Sequence, residues 1–190
     1  MLNKFAFDKY DVALITDEKE RLYYLGFHST AGYVVVTKDE TFFVVDNRYF
    51  KAAEKVLTKK GVKVISGADY SAFKEIADKI NAATVGIDFT KVTLSGFEVL
   101  KKLGYDYVDI SQELVKMAAI KSDEELKNIK KACDIAEKSW LAVLPFIKEG
   151  ITEKQIAAEL EYNFRKNGAS GTSFDTIVAF GKNAAVPHHE

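Results

Sequence analysis

The residues best suited to chemistry lie near the end of the sequence, in SFDTIVAFGKNAAVPHH at residues 173–189. Histidine changes its charge near neutral pH, so His188 beside a substrate-facing loop could donate or relay a proton. The neighbouring His189 offers a second ring. Two adjacent histidines could ligate one ion only with unusual backbone geometry, so this pair alone predicts no metal site.

Two other groups could contact a ligand. His28 lies in LGFHSTAG at residues 25–32, where a surface or hydrogen-bonded loop histidine is favoured over a catalytic one. The stretch VVDNRYF contains Asp46, Arg48 and Tyr49 at the end of a predicted strand. A carboxylate and a guanidinium at such a junction could position a ligand, but the interpretation we favour is that they cap the next helix and hold a nearby loop.

Composition and missing motifs exclude several function classes. The sequence contains no glycine-rich dinucleotide or phosphate motif, no zinc motif and no serine-hydrolase elbow. The formal net charge is -1 and no basic stripe is present, which argues against nucleic-acid binding. Cys133 is the single cysteine, which fits a reducing compartment, and no apolar run approaches the roughly 20 residues that span a bilayer. We therefore expect a cytoplasmic protein without a membrane segment.

The elements that would carry these side chains begin as an α/β pattern. Apolar strand-like runs alternate with helical patterns through residue 110, and YVVVT and TFFVV flank a short polar turn as a hairpin would. This alternation predicts an α/β domain with a mixed sheet and flanking helices. The predicted strands are Val12–Ile15, 33–37, 41–45, 62–65, 84–87 and 107–110.

The pattern changes near residue 118. Ser122 and Thr152 each begin a capping box, so two helices are predicted, one ended or kinked by Pro145 and the other running to Gly168. The first helix carries an apolar stripe, of which we expect Trp140 and Cys133 to be core. Its members are Leu126, Ile129, Cys133, Ala136, Trp140 and Leu144.

Together these stretches resemble the creatinase, prolidase and aminopeptidase P group of metallopeptidases, which share the pita-bread catalytic fold. The resemblance rests on TFFVVDNRYFKAA, MAAIKSDEELKNIKKA, GITEKQIAAEL and the stretch that ends at PHH. It implies a creatinase-like N-terminal domain at residues 1–118. Residues 119–190 would then be part of the catalytic pita-bread α+β domain, with its first helices and strand.

The resemblance also implies an activity. Members hydrolyse the bond preceding proline in dipeptides or oligopeptides, using two divalent ions, Mn, Co or Zn, held by two Asp, one His and two Glu. His188 matches a histidine that contacts substrate and assists catalysis without binding metal. The N-terminal domain helps to build a homodimer.

The family's metal ligands all follow the PHH motif, so the resemblance assigns none of them to this chain. We therefore expect a fragment of a longer peptidase that is inactive alone, with apolar faces left exposed after residue 120. Two alternatives stay open. One is a non-catalytic dimerisation or interaction module, and the other is a metal-independent hydrolase of the creatinase type.

Overall fold

The computed structural model describes residues 5–189, which form two compact units. The first unit ends at Ile120 and the second begins at Lys121. Within the described range, no helix is both long and apolar enough to cross a membrane.

A six-stranded sheet forms the centre of the first unit. Its strand order is β4-β3-β2-β1-β5-β6, and β2 is antiparallel to both of its neighbours while the other pairs are parallel. The predicted mixed sheet is thus confirmed. The strands are β1 (Val12–Ile15), β2 (Tyr33–Val36), β3 (Thr41–Val45), β4 (Val62–Ser66), β5 (Thr84–Ile87) and β6 (Asp106–Asp109).

Helices cover both faces of this sheet. Every residue of β1, β2 and β3 is buried, because alternate side chains enter two separate cores. In β1, Ala13 and Ile15 enter one core while Val12 and Leu14 enter the other. The helices are α1 (Glu18–Leu25), α2 (Asn47–Leu57), α3 (Ser71–Lys79), α4 (Leu94–Lys101) and α5 (Ser111–Ala119).

Aspartates at the carboxyl ends of the parallel strands start the helices that follow. Asp17 accepts hydrogen bonds from two backbone N–H groups of α1, and Asp46 accepts one from α2. Asp109 accepts the backbone N–H of Ser111 at 3.0 Å. These carboxylates satisfy helix N–H groups that otherwise lack partners.

Helix α5 is an element that the sequence patterns did not predict. It begins where Asp109 binds Ser111, and its inner face places Leu114 and Met117 against the first core. The Tyr23 hydroxyl donates to the backbone oxygen of Met117 at 2.7 Å, which joins α1 to α5.

Two helices dominate the second unit, α6 (Asp123–Val143) and α7 (Glu153–Lys166). Both predicted capping boxes are present, one at Ser122 and one at Thr152. Pro145 lies in a short 3₁₀ helix that ends α6, as expected.

The prediction that Trp140 and Cys133 of α6 belong to a core is wrong. Leu126, Ile129 and Trp140 are between 47% and 53% exposed, and Cys133 is exposed as well. The buried residues of α6 are Ser139 and Val143. The side chain of Asn167, at the end of α7, donates to the Ser139 hydroxyl at 3.0 Å. Helix α6 thus carries apolar residues on more than one side, and the small Ser139 lies where α7 approaches.

The strand expected after these two helices, in the stretch that leads to His188, also differs from the structure. This stretch forms no strand in the part of the chain that is described, and it leads into a 3₁₀ helix at Gly181–Ala185. A strand needs a neighbour to accept and donate its backbone hydrogen bonds, and no described segment pairs with this one.

Candidate active site

The two adjacent histidines at the end of the described chain have different surroundings. His188 is exposed, whereas His189 is only partly exposed. The Nε2 atom of His189 lies 3.3 Å from Oε2 of Glu153. One ring is therefore held by α7, and the other is free to meet a molecule from solution.

Glu153 joins the start of α7 to the whole segment that carries these histidines. Its Oε1 accepts the backbone N–H of Phe180 at 2.6 Å and the side-chain amide of Asn183 at 3.0 Å. The Asn183 amide also lies 3.2 Å from Oε2. One carboxylate thus contacts the segment at residues 180, 183 and 189.

The electrostatics favour the ionised form of Glu153. The hydrogen bond from the Phe180 backbone lowers the pKa of this carboxyl, and contacts with Asn183 and His189 lower it further. Glu153 is also the first residue of α7, where the helix dipole favours negative charge.

These groups do not fit a two-metal centre. Within residues 5–189, no three histidine, cysteine, aspartate or glutamate side chains are grouped so that they could hold a metal ion. The Glu153 oxygens already accept N–H donors from Phe180 and Asn183. We therefore assign no metal-dependent step to the residues that the structure describes.

In the first unit, Asp46 and its neighbours cap a helix and hold a loop. Asp46 caps α2, and its Oδ2 lies 2.6 Å from an Nη atom of Arg48. The Arg48 guanidinium stands 5.5 Å from the centre of the Tyr49 ring, and the Tyr49 hydroxyl is 3.0 Å from the Thr30 hydroxyl. The favoured interpretation of this cluster is confirmed.

His28 lies on the surface. Its Nε2 is 3.0 Å from Oε1 of Glu18, and both side chains are largely exposed. An ion pair of this kind contributes little to stability. The structure therefore gives His28 an ordinary loop environment, which is the one that the sequence favours.

A pair of carboxyl groups, Glu20 and Asp88, is a feature that the sequence patterns missed. Glu20 lies in α1, Asp88 follows β5, and the two carboxyl groups act on each other's pKa. Burial and this contact raise the pKa of Glu20 to about 8. Burial acts in the same direction on Asp88, but hydrogen bonds from Glu20 and Thr90 outweigh it and lower the pKa of Asp88.

Next to this pair lies a cavity of about 240 Å³ between α1 and α5. Its walls combine the apolar residues Leu114 and Met117 with Glu20 and Lys91. Neither the pair nor the cavity follows from spacing, because Glu20 and Asp88 are far apart in the sequence. Glu153 was missed because its place in the first turn of α7 already explains an acidic residue there.

Two family models match the sequence. Residues 2–120 match the creatinase/prolidase N-terminal domain, and residues 127–190 match metallopeptidase family M24. The first match covers more than half of the chain.

Individual proteins agree with these matches. The chain is 32% identical to a putative Xaa-Pro aminopeptidase of Mycoplasma pneumoniae, across 100% of the chain and 53% of that protein. It is 33% identical to an Xaa-Pro dipeptidase of Pyrococcus furiosus, across 83% of the chain and 44% of that protein. The solved Xaa-Pro dipeptidase of Bacillus anthracis superposes with a TM-score of 0.88 at 33% identity, covering 96% of this chain and 52% of that one. The chain spans about half the length of the curated relatives it matches.

Proposed function

We propose that this chain, which belongs to the creatinase and prolidase family of peptidases, is part of an enzyme that hydrolyses the peptide bond before proline. The observation that carries this proposal is the pair of family matches in the expected order, an N-terminal domain followed by an M24 segment. The relatives' names, Xaa-Pro dipeptidase and Xaa-Pro aminopeptidase, support proline-containing dipeptides or oligopeptides as substrates.

In this proposal His188 is the catalytic residue of the chain. It contacts the substrate and moves a proton at the scissile peptide. Its exposed ring, on a segment that Glu153 fixes at three points, suits a group that must meet a substrate. Residues 1–118 form the N-terminal domain and residues 119–190 the start of the catalytic domain, with a homodimer in the cytoplasm as the assembled form.

In this proposal the metal ions are not held by residues of this chain. Two divalent ions, Mn, Co or Zn, would polarise the scissile carbonyl in the complete enzyme. In this proposal the ligands come from the part of the enzyme that follows the PHH motif, as the resemblance to the family implies. The 190-residue chain on its own is therefore an inactive part of the enzyme.

The test has two stages. The 190-residue chain, incubated with an alanyl-proline dipeptide and Mn²⁺, should release no proline above the rate without protein. The mass of the protein in its source cell is then compared with the 21.2 kDa of this chain. A mass near twice that value is expected, and His188→Ala in that longer protein should lower kcat by about a hundredfold or more. Hydrolysis by the short chain that is lost in His188→Ala would overturn its assignment as inactive.

A second candidate is a non-catalytic dimerisation module. The exposed apolar side of α6, with Leu126, Ile129 and Trp140, favours it, since large exposed apolar patches mark association surfaces. A cellular mass of 21.2 kDa, together with a discrete dimer in sedimentation, would favour this module over the peptidase. Heterogeneous aggregates would count against it.

A further inference from the structure

We propose that Glu153 is a positioning residue that turns His189 inward and thereby presents His188 to the substrate. The inference rests on the proposed function of His188. It assigns a role to a side chain that neither contacts substrate nor binds metal in that proposal.

The backbone of Glu153 is held in place by the cap of α7. Thr152 caps α7, its hydroxyl accepting from the Gln155 backbone N–H at 3.2 Å, while the Gln155 side-chain oxygen accepts from the Thr152 backbone N–H at 2.9 Å. Glu153 follows directly, on the first turn of a 14-residue helix. Its backbone therefore cannot shift without breaking the capping box.

Its three partners lie far along the chain and mark out one segment. They are separated from Glu153 by 27, 30 and 36 residues. The Phe180 N–H precedes the 3₁₀ helix, Asn183 lies within that helix, and His189 follows it. The carboxylate thus holds the chain before the 3₁₀ helix, within that helix and at His189.

Both the negative charge of Glu153 and the ability of its two oxygens to accept hydrogen bonds matter for these contacts. An ionised carboxylate only accepts hydrogen bonds, and here both of its oxygens face N–H donors. A glutamine of the same length would turn an NH₂ group toward at least one of those donors. Glu153→Gln therefore keeps the shape of the side chain but removes the match to its partners.

The contact between Glu153 and His189 also affects the neighbouring ring of His188. For Nε2 of His189 to donate to Glu153, the neutral ring must carry its proton on Nε2. With His189 held in this way at 25% side-chain exposure, the exposed ring of the pair is that of His188. Without Glu153, either ring could occupy the exposed position.

Nitrogen NMR of the histidine rings in the 190-residue chain tests this inference. In its neutral form, the native His189 ring should show the Nε2–H tautomer, because Nε2 faces the Glu153 carboxylate. Glu153→Gln should replace part of that signal by the Nδ1–H form, because an amide NH₂ in place of Oε2 cannot accept a proton from Nε2. The exchange of the Phe180 amide proton should also become about tenfold faster or more. Glu161→Gln, which changes an exposed carboxylate on the same helix, should alter neither signal.

A fold control and a second variant keep the outcome decisive. The fluorescence of Trp140, the single tryptophan, reports whether the second unit remains folded. If Glu153→Gln unfolds the second unit, Asn183→Asp is the alternative variant. It disrupts the contact between Asn183 and Glu153 by placing a second carboxylate next to Glu153. This variant should also release His189.

The results separate the two proposals. Unchanged His189 signals in a folded Glu153→Gln chain would overturn the positioning role and leave the peptidase proposal standing. In the longer protein, Glu153→Gln should lower kcat about tenfold or more with a smaller change in KM, since substrate contacts elsewhere remain. Released His189 signals combined with prolyl hydrolysis that is insensitive to His188→Ala would overturn the peptidase role of His188.

Discussion

The carboxyl groups of Glu20, in α1, and Asp88, which follows β5, lie near each other at the carboxyl edge of the sheet and act on each other's pKa. Two carboxylates in contact repel each other, so the pair is stable when it holds one proton. Glu20 is the group that favours the proton, because its pKa is raised to about 8 while the pKa of Asp88 is lowered. Asp17 adds repulsion, while Lys91 partly offsets it.

This pair predicts that the first unit loses stability as the pH rises. The ordinary pKa of Glu20 is 4.5, and in the folded state it is about 8. At a pH between these two values, Glu20 is protonated in the folded state but ionised in the unfolded chain. The folded state therefore binds more protons, and the free energy of unfolding falls across this window. Allowing for partial solvent exposure, we expect a loss of about 1–2 kcal/mol.

Glu20→Gln should remove this pH dependence, because the glutamine NH₂ can donate to Asp88 at any pH. Urea unfolding between pH 5 and pH 9 measures it. The near-ultraviolet circular dichroism of the tyrosines reports on the first unit, since all but Tyr162 lie there. Glu75→Gln, at an exposed glutamate of α3, should leave the slope unchanged. Parallel pH profiles for the native chain and Glu20→Gln would contradict the shared proton.

Much of the fold follows from local sequence. The hairpin Tyr33–Val36 and Thr41–Val45 was predicted because continuous β-branched and aromatic runs suit strands buried on both faces. The inner face of α6 could not be predicted, because its apolar residues lie on several sides of the helix. Which side is buried depends on where α7 packs, and the sequence pattern of α6 does not contain that information.

The candidate site shows the same division. His188 was found through a motif, which is a local feature, and its assigned role stays a prediction. Glu153 could not be found in this way, because its role depends on contacts 27 to 36 residues away. Its local surroundings predict only a helix start, which the structure confirms. Long-range polar contacts of this kind become visible only once the chain is folded.

A second pair, Asp11 and Thr84, predicts a loss of stability in acid. The Asp11 Oδ2 atom accepts from the backbone N–H and the hydroxyl of Thr84, both at 2.9 Å, and from the Ala83 N–H at 2.8 Å. The backbone bonds from Thr84 and Ala83 lower the pKa of Asp11. This stabilisation is complete above the ordinary aspartate range and is lost as the pH falls through the lowered pKa.

Asp11→Asn should therefore cost about 1 kcal/mol at pH 7, a value reduced for solvent exposure, and less at pH 2.5. Urea midpoints at the two pH values give the comparison. Asp39→Asn, in the exposed turn between β2 and β3, is the matched control and should have little effect at either pH. An equal cost of Asp11→Asn at both pH values would show that the charge of Asp11 plays no part.

The approach of Gly32 to β3 gives a prediction that compares two glycines with similar backbone conformations. Gly32 has φ of +100°, and a Cβ atom there would lie 2.4 Å from the backbone oxygen of Val44. Gly104 has φ of +86°, but a Cβ atom there would meet nothing within 4 Å. Both positions strain an alanine, whereas only Gly32 adds a collision with β3, a strand that is paired on both sides.

We therefore expect Gly104→Ala to lower the free energy of unfolding by about 1 kcal/mol and Gly32→Ala by about 3 kcal/mol or more. The difference between the variants isolates the collision, because the cost of positive φ is common to both. Urea unfolding monitored by tyrosine circular dichroism measures both costs in the first unit. Equal losses would mean that β3 moves aside at little cost, which is incompatible with the tight burial of Val44 between its two neighbouring strands.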